Sequence, residues 1–123
     1  VLNRVRGPFN LSAPALVAGV AAVQSPEFAE KSRTENATCL TWLAGELEQL
    51  GVASDPSHSN FILARFKDQA QAEACDDFLQ TQGIIVRRVG SYGLPNCLRI
   101  TIPDMDGCRR LMAAITTFMG QAT

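Results

Sequence analysis

The chain has 123 residues, of which 46% are hydrophobic and 19% charged, and its formal net charge is −1. This size and composition indicate one folded domain with its own hydrophobic core and exclude a disordered chain. A net charge near zero offers no basic surface for a phosphate backbone, so we expect no nucleic-acid partner.

Four cysteines are widely spaced along the chain, and His58 is the only histidine. Zinc sites use closely spaced Cys and His ligands, so the sequence predicts no metal site. We expect reduced cysteines that pack as small hydrophobic residues in a cytoplasmic protein. The sequence shows no pattern of a signal peptide, and its longest apolar stretch, residues 13–23, is too short for a membrane span.

The first predicted elements are a connector and two helices. Residues 1–10 are expected to form an extended connector, and Ser12 caps a helix over residues 13–24. This helix is apolar on all sides, whereas a surface helix keeps a polar face, so we predict that a larger domain or a partner subunit covers it. A second helix over residues 26–50 begins at Pro26 and carries a stripe of four leucines, namely Leu40, Leu43, Leu47 and Leu50.

The rest of the chain alternates between strands and helices. The hydrophobic pattern predicts strands over residues 60–66, 84–89 and 97–102, and helices over residues 68–81 and 104–119. The predicted fold is therefore α+β: a small antiparallel or mixed sheet of about three strands, packed by helices and preceded by two helices.

Arginine is the unusual feature of these strands. The chain has nine arginines and two lysines, and four of the arginines lie in or beside the predicted strands: Arg65, Arg87, Arg88 and Arg99. Arg99 lies between Leu98 and Ile100, so it points away from the face that those residues share. A guanidinium in an apolar strand lies on a solvated face or pairs with an anion. Because Arg87 and Arg88 are adjacent, only one of them can point where Arg99 points.

The sequence predicts no catalytic residue. His58 lacks an evident nucleophile partner, and neither Lys31 nor Lys67 has the apolar surroundings that would lower the pKa of a Schiff-base lysine. The loop over residues 90–96 lacks the lysine of a phosphate-binding loop. It is either a plain connection between strands or a place from which Tyr92 faces a ligand.

Four motifs together resemble histidinol-phosphate aminotransferase, a fold-type I family that depends on pyridoxal phosphate. They are RGPFNLS, SNFILARF, GIIVR and SYGLPNCLRIT at residues 6–12, 59–66, 83–87 and 91–101, and they occur in the family's order. The resemblance runs over nearly the whole chain but covers about the last third of a family member. It implies that residues 11–123 are the C-terminal small domain of such an enzyme.

The resemblance also implies a function and two site residues. Family members transfer the amino group of L-histidinol phosphate to 2-oxoglutarate in histidine biosynthesis. The products are imidazole-acetol phosphate and glutamate. The arginine at the Arg99 position holds the substrate carboxylate, and that at the Arg87 position contacts the substrate phosphate. The Schiff-base lysine and the cofactor contacts lie in a large N-terminal domain, the missing partner of this chain, and the full-length enzyme is expected to be a homodimer.

The sequence departs from the family pattern after the Arg99 strand, which concerns the local backbone and not the role of Arg99, and the order of elements leaves one alternative. Pro103 follows Ile102 where family members commonly have glycine, and residues 104–107 form a weaker helix start than the family's acidic one. The strand-helix-strand-strand-helix order also occurs in free-standing regulatory modules that bind an amino acid or another small anion. By itself, the chain is expected to have no transaminase activity in either case.

Overall fold

The computed structural model describes residues 12–121. Its described residues fall into two compact units, 12–33 and 34–121, which are described separately below. The predicted connector over residues 1–10 lies outside the described residues.

The described part of the first unit is helical. Helix α1 spans Ala13–Val23, and the Ala15 N–H donates to the Ser12 Oγ at 3.4 Å, which confirms the predicted cap. Every residue of α1 is exposed, including Val17 at 72% and Val23 at 85%. The predicted cover over this apolar helix therefore stays a prediction. Helix α2, Pro26–Gln49, begins in this unit and continues into the second.

The second unit contains a four-stranded antiparallel sheet of order β1-β2-β4-β3. The strands are β1 (Ala53–Ser54), β2 (Phe61–Arg65), β3 (Arg87–Arg88) and β4 (Cys97–Thr101). The two central strands, β2 and β4, pair over their full length. Their positions agree with the predicted strands over residues 60–66 and 97–102.

Two details of the predicted sheet differ from the structure. Strand β1 lies outside the three predicted strands, and β3 has two residues in place of the predicted 84–89. The shorter β3 has a local cause, since Gly83 adopts a φ of +68° and the Ile84 N–H donates to the Leu79 carbonyl. These contacts tie the start of the predicted strand to the end of the preceding helix.

Three helices pack on one face of the sheet: α2, α3 (Gln69–Thr81) and α4 (Met105–Gln121). Asp68 caps α3 by accepting a hydrogen bond from the Gln71 N–H at 2.8 Å. The shared core includes residues that are almost inaccessible to solvent in each layer, such as Leu43, Ile62, Leu79, Leu98 and Ile115. All four cysteines are free and buried: Cys39, Cys75, Cys97 and Cys108.

Helix α4 begins against Pro103. The Gly107 N–H donates to the Asp104 Oδ1 at 2.8 Å, and this bond caps the first turn. A Cβ at position 107 would lie 2.7 Å from the Pro103 Cβ, which is too close for a side chain. Gly107 therefore leaves room for Pro103, and both residues are departures from the family pattern. Among the described helices, none is long and apolar enough to span a bilayer.

Candidate functional site

The second face of the sheet carries the candidate site. Residues Ile62, Ala64, Leu98 and Ile100 point into the core, and the alternating residues of the same strands point the other way. We call this second side the arginine face and define it by Phe61, Leu63, Arg65, Arg87 and Arg99.

Arg99 lies near the centre of the arginine face. Its Cα pairs with that of Leu63 on β2 and with that of Arg87 on β3. Its guanidinium Cζ lies 5.3 Å from the centre of the Phe61 ring. The side chain is partly buried, and its Nε is inaccessible to solvent without a hydrogen-bond partner among the described residues. This arginine therefore has no ion pair in the described part of the chain.

Arg87 lies beside Arg99 and is exposed. Its Nη2 donates to the Tyr92 Oη at 3.0 Å, and its Cζ lies 5.7 Å from the centre of the tyrosine ring. Tyr92 belongs to a short 3₁₀ turn, Gly90–Tyr92, which ends at Gly93 with a φ of +79°. The structure thus brings together the three residues that the sequence singled out, with Tyr92 in direct contact with Arg87.

Arg88 points in the opposite direction, as strand alternation predicts. Its Nε donates to Asp76 and its Nη2 to Asp77, both on α3 and both at 2.5 Å. The Asp76 side chain is only 5% exposed. Arg88 therefore attaches the edge strand to the helix layer, and Arg87 is the member of the pair on the arginine face.

Most of the described arginines are paired with carboxylates, namely Arg33, Arg65, Arg88 and Arg109. Arg65 lies on the same face as Arg99, and Asp55 accepts hydrogen bonds from its Nε at 3.1 Å and its Nη2 at 2.5 Å. The hydrogen bond from Arg65 lowers the pKa of Asp55. The contrast with Arg87 and Arg99 shows that their positive charges are not neutralised by any described side chain.

The arrangement is suited to binding an anion. Like charges on directly opposed residues of neighbouring strands destabilise a sheet, and Arg87 and Arg99 are such a pair. An anion between them removes that repulsion, and a guanidinium can donate two parallel hydrogen bonds to a carboxylate or a phosphate.

Lys31 and Lys67 are both exposed, so neither has the desolvated environment of a lysine that forms a Schiff base. His58 is exposed as well and lies in the loop between β1 and β2. Phe61 contacts Arg99 at this face, and the sequence did not single it out. The sequence is enough to place Phe61 on the same side of its strand as Arg65. Its proximity to Arg99 depends on how the strands are paired.

An α+β domain with two unneutralised arginines on one sheet face is suited to hold anionic metabolites. Comparison with known proteins gives the class: the family model for aminotransferase class I and II matches residues 1–115. The chain belongs to this family. Membership favours the aminotransferase interpretation over a free-standing regulatory module.

Particular relatives are named histidinol-phosphate aminotransferases. The chain is 56% identical to that of Dinoroseobacter shibae and 54% identical to that of a Ruegeria species, in each case over 99% of this chain and 34% of the relative. A crystal structure of the Sinorhizobium meliloti enzyme in complex with pyridoxal-5′-phosphate matches with a TM-score of 0.88 at 24% identity. That match covers 99% of this chain and 34% of the crystallised one. The chain therefore spans about a third of the length of these relatives, and the structural match confirms the fold.

Proposed function

We propose that this chain is the substrate-binding small domain of a histidinol-phosphate aminotransferase that depends on pyridoxal phosphate. The reaction would exchange an amino group between L-histidinol phosphate and 2-oxoglutarate, giving imidazole-acetol phosphate and glutamate. The relatives with 54–56% identity carry this name, and they support the proposal over nearly the whole of this chain.

One observation in the structure carries the proposal. Arg87 and Arg99 are cross-strand partners, and no carboxylate among the described residues pairs with either of them. We infer that Arg99 binds the carboxylate of glutamate or 2-oxoglutarate and that Arg87 binds the phosphate of histidinol phosphate. Tyr92 holds the Arg87 guanidinium at 3.0 Å, and we propose that its hydroxyl is a further ligand contact.

The cofactor would be held by the part of the enzyme outside this chain. Pyridoxal phosphate supplies an electron sink for the reaction, and the protein contributes binding and orientation. The role of Arg87 and Arg99 is then to fix the anionic groups of the substrate, because correct placement of the reacting atoms lowers the entropic part of the barrier.

We also propose the partners that the relatives' greater length supports. A large N-terminal domain would complete the enzyme, and the enzyme would act as a homodimer in the cytoplasm. All eleven residues of the apolar helix α1 are exposed, which supports a further domain or subunit that covers this helix. The four cysteines are free, which supports a reducing compartment.

The proposal is tested by kinetics of the intact enzyme that carries this chain. Arg99→Lys keeps the charge but loses the two-pronged geometry, so we expect kcat/KM for 2-oxoglutarate to fall by about 10- to 100-fold. Arg87→Gln should lower kcat/KM mainly for histidinol phosphate. The control is Arg109→Lys, since Arg109 is exposed and its only ion-pair partner among the described residues is its helix neighbour Asp106.

Substrate selectivity decides the outcome. If Arg99→Lys and Arg87→Gln both match the Arg109→Lys control, the arginine face is not the substrate site. If the intact enzyme does not bind pyridoxal phosphate, as measured by visible absorbance, the proposed reaction is wrong.

A further inference from the structure

Arg99 contacts the ring of Phe61, whereas Arg65 and Arg88 of the same sheet pair with carboxylates. Phe61 lies on β2, where its Cα pairs with that of Thr101, two residues beyond Arg99 on β4. The ring is thus diagonal to Arg99 on the same face, with its centre 5.3 Å from the guanidinium Cζ. A guanidinium over an aromatic face is attracted by the negative potential of the ring.

This contact restrains the cation without neutralising it. Arg65, on the same face, has its charge balanced by the two hydrogen bonds to Asp55. Arg99 donates no hydrogen bond to a described residue, and its buried Nε has no partner. Since a ring face does not have to occupy the N–H groups, the donors of Arg99 stay available for a ligand carboxylate.

The backbone of Phe61 is itself fixed by two serines of the preceding loop. Its carbonyl accepts hydrogen bonds from the Ser57 Oγ at 2.6 Å and the Ser59 Oγ at 3.3 Å, and its N–H donates to the Ser59 Oγ at 3.4 Å. The Asn36 side chain anchors the same loop to α2 by donating to the Ser59 carbonyl at 3.1 Å. The backbone of Phe61 is therefore held by hydrogen bonds at both its N–H and its carbonyl.

From these contacts we propose that Phe61 is a positioning residue that holds the Arg99 guanidinium in its carboxylate-binding orientation. The proposal rests on the function proposed above, because it assigns a role to Phe61 through Arg99. It predicts that loss of the ring impairs the use of carboxylate substrates more than the use of histidinol phosphate.

The test uses the intact enzyme and the variants Phe61→Leu, Phe61→Met and Phe61→Tyr. We expect Phe61→Leu and Phe61→Met to raise KM for 2-oxoglutarate by about 3- to 10-fold, because an apolar chain without a ring does not attract the guanidinium. Phe61→Tyr keeps the ring and should stay within about twofold of the parent. The control is Phe118→Leu, which removes a ring that packs on Phe78 at 5.9 Å in the helix layer. This control should lower stability without a change specific to one substrate.

A double-variant cycle separates this proposal from the one on which it rests. In an Arg99→Lys background, Phe61→Leu should have a smaller effect on KM than it has in the parent enzyme. If Arg99→Lys alters 2-oxoglutarate kinetics but Phe61→Leu and Phe61→Met do not, the positioning role is wrong and the substrate site stands. If Phe61→Leu weakens both substrates equally and Phe61→Tyr does so too, Phe61 has a structural role only. If Arg99→Lys itself changes nothing, the proposed function fails first.

Discussion

Removal of the positive charge should change the free energy of unfolding very differently at the two adjacent arginines of β3. In Arg88→Met, the chain loses the guanidinium that pairs with Asp76 and Asp77 on α3. The Asp76 carboxylate, 5% exposed, then keeps one partner, the Gln80 amide at 3.1 Å on Oδ2. Its Oδ1 is already buried without a hydrogen bond. The variant thus leaves a buried negative charge with almost no compensation.

The expected cost follows from the burial of the two partners. Breaking a fully buried ion pair costs about 3–5 kcal/mol, because one charge stays in the interior without a partner. Arg88 is 42% exposed, so water screens one end of the pair, and Asp77 at 71% exposure adds little. We therefore expect Arg88→Met to lower the free energy of unfolding by about 2–3 kcal/mol.

The measurement is urea unfolding of the 123-residue chain, followed by circular dichroism. A loss of this size should move the unfolding midpoint down by about 1–2 M with an unchanged m value. Arg87→Met is the matched control and should change stability by less than about 0.5 kcal/mol, because Arg87 is exposed and pairs with no described carboxylate. The double variant Arg88→Met/Asp76→Leu should recover part of the loss, since it removes the buried charge as well. Equal losses in Arg87→Met and Arg88→Met would refute this reasoning.

Further predictions concern the core, the thiols and the start of α4. Leu43→Ala should cost about 2–5 kcal/mol, since Leu43 is fully buried, and a thermal unfolding midpoint equal to the parent's would contradict this. Burial raises the pKa of Cys75 to about 12 and that of Cys108 to about 11, above their ordinary value of 9.0. The stability that these neutral thiols contribute is complete below their unfolded pKa of 9.0 and is lost as pH rises through the folded values, so the urea midpoint should fall as pH rises from about 9 to about 11. Gly107→Ala should lower the thermal midpoint despite the better helix propensity of alanine, because the new Cβ would lie 2.7 Å from that of Pro103, and a rise would show that the turn relaxes easily.

The sequence predicts the long elements well because their signals are local. Ser12 and Asp68 cap the helices that follow them, and the central strands consist mostly of apolar residues. The short edge strands are harder, since a two-residue strand such as β1 exists only through its pairing with β2. The apolar residues before Arg87 have the sequence pattern of a strand. In the structure, the left-handed Gly83 and the hydrogen bond from the Ile84 N–H to the Leu79 carbonyl connect the first of them to the end of α3.

The site is predictable only in part, because it depends both on the alternation of side chains along a strand and on the register between strands. Alternation is local, and the adjacency of Arg87 and Arg88 in the sequence is enough to place them on opposite faces. Register is not local, since it depends on which strands pair and at which residue. The pairing of Arg87 with Arg99 and the diagonal contact from Phe61 to Arg99 therefore appear only in the folded sheet.

Arg87 and Arg99 lack a carboxylate partner among the described residues because of where the acidic residues lie, and not because the chain has few of them. The chain contains 12 acidic residues, one more than its 11 lysines and arginines, and two carboxylates of α3 pair with Arg88 immediately beside Arg87. Asp55 likewise pairs with Arg65 on the same face as Arg99. The fold thus brings carboxylates to the neighbours of the two central arginines and aromatic rings to those arginines themselves. Such rings hold the guanidinium groups in place while their charge stays available, which is what binding of an exchangeable anion requires.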